Sequence, residues 1–129
     1  MQRLFAVAAA LALFADPAHA QAERPATGRS YAERVVELSR VLGGAHYIRV
    51  LCQGRGDQTW REAMTRLIDI EAPSAGAQRS AMVEAFNLGY RAEEERFPTC
   101  DAQAEAVETE LKSKGRRLSA ALAAPHKQE

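Results

Sequence analysis

Residues 31–52 read YAERVVELSRVLGGAHYIRVLC, and this stretch decides the fold. Tyr31, Val35, Leu38, Leu42 and Ala45 recur at three- and four-residue steps, which is one face of a helix. Ser30, just ahead, is a good N-cap. Beyond Gly43-Gly44 almost every position is apolar: Ala45, Tyr47, Ile48, Val50, Leu51 and Cys52. A helix apolar nearly all round is buried nearly all round. Each glycine inside a helix costs about 1 kcal/mol against alanine. The Gly43-Gly44 pair therefore marks a kink, a break or a close crossing of two backbones.

Three more helical segments follow. Gln53-Gly54-Arg55-Gly56 is a turn, with glycines suited to a helix C-cap. The second helix starts at Asp57 as cap, or at a Thr59/Glu62 capping box. Its inner face is Trp60, Met64, Leu67 and Ile68, and Pro73-Ser74-Ala75-Gly76 ends it. The third spans about 77–96, with Met82, Val83, Phe86, Gly89 and Tyr90 inward and Phe97 just beyond; Glu93-Glu94-Glu95 reads as a solvated face. Pro98-Thr99 breaks the chain. The fourth runs over about 101–123, with Ala104, Val107, Leu111, Leu118 and Leu122 at near-heptad spacing. Lys112, Lys114, Arg116 and Arg117 load its later turns, where cations suit the helix dipole. No strand-like alternation and no internal repeat is present. The expected fold is all-α, a four-helix up-down-up-down bundle.

The two cysteines agree with that topology. In such a bundle the end of the first helix and the start of the fourth lie together. Cys52 closes the one and Cys100 opens the other, so a Cys52–Cys100 disulfide is expected. Closing that loop is worth about 4 kcal/mol in the chain-entropy model.

The N-terminus sets the expected address. Met1-Gln2-Arg3 is a short positive start, LFAVAAALALFA (residues 4–15) is an apolar run, and Pro17 then Ala18-His19-Ala20 complete a secretory signal peptide cut after Ala20. The run is short for a bilayer span, which takes roughly 20 residues. No cysteine follows the cut to carry a lipid anchor. The expected layout is a signal peptide over 1–20, a flexible leader over 21–29, one helical domain over 30–123 and a disordered tail over 124–129. The expected compartment is the periplasm, where an even cysteine count reads as a bridge. Lys plus Arg and Asp plus Glu both number 17, so the chain carries no net field to steer nucleic acid.

Chemistry-bearing residues concentrate at one end. His46, Arg49 and Gln53 share a stripe of the first helix, with Tyr47 beside them. Trp60-Arg61 opens the second helix, and on the third Asn87 sits inside the apolar stripe among Val83, Phe86 and Tyr90. Buried, such groups must be hydrogen-bonded, since an unpaired one costs several kcal/mol. His46, Tyr47, Arg49, Trp60, Arg61, Asn87 and Tyr90 therefore form either a polar network that fixes how the helices meet or a pocket for a ligand or a partner's side chain. No catalytic set is expected: Ser39 lies two turns from His46, and no Asp is placed to orient that imidazole. One such His and two bridged Cys do not make a metal site, and no haem or other cofactor motif appears.

Leu38-Ser39, Leu42-Gly43, His46-Tyr47, Arg49, Leu51-Cys52, Trp60-Arg61, Met64, Glu71-Ala72-Pro73, Ala85-Phe86-Asn87-x-Gly89-Tyr90 and Thr99-Cys100 stand in an order and spacing that resembles a family of short exported alphaproteobacterial proteins of unknown function. The one departure is Phe97-Pro98 where Tyr-Arg would be expected. The resemblance implies a periplasmic address and carries over no activity, cofactor or catalytic residue. The leading functional expectation is a non-enzymatic periplasmic module that binds another cell-envelope protein. The alternative is a small-ligand binder using the polar cluster.

Overall fold

A computed structural model describes residues 29–124. The expected signal peptide, the leader up to residue 28 and the tail from residue 125 lie outside the described residues. Four helices follow one another: α1 (Tyr31–Gln53), α2 (Thr59–Glu71), α3 (Ala77–Arg96) and α4 (Ala102–Ala123). Among the described residues there is no strand, and no helix is long and apolar enough to cross a membrane.

Caps set the helix ends. Ser30 Oγ accepts from the Glu33 N–H at 3.2 Å while the Ser30 N–H donates to Glu33 Oε2 at 2.7 Å, a full capping box. Gly54 ends α1 at φ 104, the left-handed region that glycine enters without steric cost. The Thr59/Glu62 box does not form, because Thr59 is already helical; its N–H and hydroxyl both donate to Asp57 Oδ1, at 3.2 and 2.7 Å. Asp101 caps α4 by accepting from the Ala104 N–H at 2.8 Å.

The helices run up, down, up, down. Tyr31 Oη donates to Glu71 at 2.6 Å, joining the start of α1 to the end of α2. Gln78 Nε2 donates to the Ala32 carbonyl at 3.4 Å, and Tyr47 Oη donates to the Phe97 carbonyl, so α1 and α3 run the same way. Cys52 and Cys100 are bridged with Cα atoms 5.1 Å apart, and Lys114 Nζ pairs with Glu37 at 2.7 Å further along, so α4 runs against α1.

The arrangement is not a square of equals. α1 is the hub: α2, α3 and α4 each pack on it, α2 meets α3 lightly, and the backbone of α4 approaches α1 alone. This is what a helix apolar on all sides demands. Val35, Leu38, Leu42, Met64, Ala72 and Met82 form one core cluster, and Tyr47, Ile48, Phe97 and Ala104 a second, toward the disulfide.

Gly43-Gly44 mark a close crossing, since α1 continues through them unbroken. A Cβ on Gly43 would overlap the Phe86 carbonyl oxygen and stand 2.9 Å from Phe86 Cα. One on Gly89 would overlap the Arg40 carbonyl oxygen and stand 3.1 Å from the Gly44 nitrogen. This approach fixes the rotation of α3. Met82, Ala85, Gly89 and Glu93 are buried, while Val83 and Asn87, expected on the inner stripe, are exposed. Glu93 departs from the solvated face expected of the acidic run. It lies one turn after Gly89 on the buried stripe, its Cγ faces Gly44, and its carboxylate pairs with Arg96 at 3.2 Å, leaving only Glu94 and Glu95 solvated.

Candidate functional site

The structure divides the expected polar cluster in two. Tyr47, Arg49 and Trp60 are internally bonded. Arg49 Nε donates to Glu108 Oε1 at 2.8 Å, and Trp60 Nε1 donates to the same oxygen at 3.3 Å. The Arg49 guanidinium also lies 3.8 Å from Asp57 Oδ2 and 6.0 Å from the centre of the Trp60 ring. Glu108 is buried, and its charge is met from both sides. Tyr47 is buried too, with its hydroxyl on the Phe97 carbonyl and its ring edge-on to Tyr90 at 5.2 Å. Burial first, then the Glu94 carboxylate, raises the Tyr47 phenol above its ordinary range. These contacts tie α1 to α2, α3 and α4.

Glu108 is the member that sequence reasoning missed. A signal existed: it stands four residues after Ala104 and three before Leu111, on the inner stripe of α4, where an unpaired acid would not be stable.

The other half opens into a cleft. His46, Arg61, Asn87 and Tyr90 line a cavity of about 530 Å³ between α2 and α3, with Met64, Ile68 and Phe86 as its apolar wall. His46 forms the floor. It is 7 % exposed, its ring sits 5.7 Å from Phe86 and 5.9 Å from Tyr90, and its Nδ1 is buried with no hydrogen-bond partner among the described residues. Burial lowers the His46 pKa first and the Arg61 guanidinium lowers it further, against a smaller pull from Asp57. The imidazole is therefore neutral at pH 7. Asn87 is exposed at the cleft wall, so it is not the buried network residue the sequence suggested. Among the described residues no acidic side chain lines the cleft. Ser39 plays no part in it: its hydroxyl is buried and donates to the Val35 carbonyl at 2.9 Å.

The sequence profile of a family described as "Protein of unknown function (DUF2385)" matches residues 30–126. The chain belongs to this family. No curated protein and no solved structure shows a significant match. The matched span of this DUF2385 member takes in all four helices, the disulfide and every residue of the cleft. Among the described residues no three His, Cys, Asp or Glu side chains gather as a metal site. What the cleft offers is hydrogen-bond donors, a guanidinium and an apolar wall: the means to hold an anion.

Proposed function

We propose that the protein is a non-enzymatic, exported binding module whose α2/α3 cleft holds a small ligand bearing a carboxylate. One observation carries the reading: a nearly buried His46, its Nδ1 unpartnered among the described residues, forms the floor of an open cleft that also presents Arg61 and is lined by no described acid. Buried polar atoms without partners are uncommon in finished interiors, and a few convergent polar groups in an apolar concavity mark a ligand site. Arg61 would bind the carboxylate by charge-assisted bonds, with Asn87 and Tyr90 orienting the rest. The bridged Cys52–Cys100 pair supports an oxidising compartment such as the periplasm.

Calorimetry with benzoate and benzamide on residues 21–129 tests this. Benzoate should bind saturably and benzamide not, and Arg61→Met, an exposed position, should weaken benzoate at least tenfold. Equal behaviour of the two probes, or an Arg61→Met variant that binds as well as the parent, would remove the reading. Docking on another envelope protein is the second reading, supported by Val83 and Leu88, which stand 42 % and 41 % exposed on α3.

A further inference from the structure

A second concavity lies on the opposite side of α2. Because α2 and α4 both lean on α1 and do not pack backbone to backbone, an apolar groove of about 470 Å³ runs between them. Leu38, Leu42 and Ala45 form its floor, and Leu67 and Leu111 stand on its walls. Among the described residues its polar lining is almost wholly cationic: Arg66 on one wall, Lys112 and Arg116 on the other, and no acid. None of the three cations makes an ion pair with a described residue. Lys112 and Arg116 are one helical turn apart and repel each other unless an anion lies between them.

Width and length narrow the occupant. At one end Trp60 on α2 reaches Glu108 on α4 directly, at 3.3 Å, so the walls are two side chains apart. A helix, about 10 Å across with its side chains, does not fit down to the floor. A single unbranched chain does. The α2 wall from Trp60 to Ile70 measures about 15 Å at 1.5 Å per residue, close to half of a roughly 30 Å bilayer core, which is the reach of one acyl chain. The exposed end is apolar as well, with Ile70 75 % exposed.

The geometry points to this groove as a binding site for a free long-chain carboxylate, with its acyl tail along α1 and its head on Arg66, Lys112 and Arg116. This rests on residues other than His46 and Arg61, so it stands or falls apart from the α2/α3 cleft.

Trp60 is the only tryptophan of the chain and lines the groove, so its fluorescence reports occupancy. Laurate, kept below its micellar range, should change Trp60 emission saturably in residues 21–129. Lys112→Ala with Arg116→Ala should raise the apparent Kd at least tenfold without changing the melting curve, while His46→Gln, outside the groove, leaves the laurate Kd unaltered. Three results would overturn the inference: no saturable response to laurate, a response to dodecanol as strong as to laurate, or a response only to vesicles of anionic phospholipid.

Discussion

Gly43→Ala tests the α1–α3 crossing most sharply. In an isolated helix the change would stabilise by about 1 kcal/mol. Here the added Cβ would overlap the Phe86 carbonyl oxygen and lie 2.9 Å from Phe86 Cα. Carbon atoms pack at about 3.5–4.0 Å, so α3 must move out by the better part of an ångström. The obstacle is backbone, which has no rotamer to escape into. Overpacking of this kind costs typically 1–3 kcal/mol, and a backbone obstacle places Gly43→Ala at the upper end. After the propensity gain, the net loss is about 2 kcal/mol. At 4–8 °C per kcal/mol the melting temperature should fall by roughly 8–16 °C. Gly115→Ala is the control: its Cβ would meet Val41 and Leu38 side chains at 3.6 and 3.8 Å, ordinary contact, so that variant should melt several degrees above the parent. Thermal unfolding followed by circular dichroism reads both. A Gly43→Ala protein that melts at or above the parent temperature would refute the crossing and the rotation of α3 derived from it.

Other expectations follow from the same structure. Arg49→Met should cost about 1–3 kcal/mol in urea unfolding, because it leaves the buried Glu108 carboxylate with only the Trp60 N–H; Asn87→Ala, at an exposed position, should change stability by less than about 0.5 kcal/mol. Reducing Cys52–Cys100 should remove about 4 kcal/mol, seen as a lower denaturation midpoint with reductant and no change in helical content. Stability should also depend on pH through His46. Its folded pKa lies below the ordinary value of 6.5, so the unfolded chain binds the extra proton; stability is fully present above about pH 6.5 and is lost as pH falls toward the folded pKa. Denaturation midpoints between pH 5 and 8 should show this slope in the parent and lose it in His46→Gln.

How far the sequence reaches is clear element by element. The four helices were legible because each carries its own apolar period, and α1 and α4 begin where Ser30 and Asp101 offer caps. The disulfide was legible because parity and topology agree on it. The hub role of α1 was foreshadowed by its all-round apolarity, yet periodicity says which face is inward and not which neighbour it meets. Val83 and Asn87 were misplaced for a definite reason. A hydrophobic count follows large side chains, whereas α3 is oriented by Gly89, which contributes no side chain at all. The same rotation buries Glu93. The cleft residues His46, Arg61, Asn87 and Tyr90 were visible as a group, but their separation from Arg49 and Trp60 was not, because it depends on Glu108 reaching in from α4.

The most direct test of the carboxylate-binding cleft is the titration of the His46 imidazole by NMR, on residues 21–129, with and without benzoate. In the free protein His46 should titrate below 6.5. Benzoate should shift its resonances saturably and raise its pKa, because a bound anion favours the imidazolium, and Arg61→Met should abolish both effects. A His46 that titrates at the ordinary value and ignores benzoate at every concentration would contradict the account.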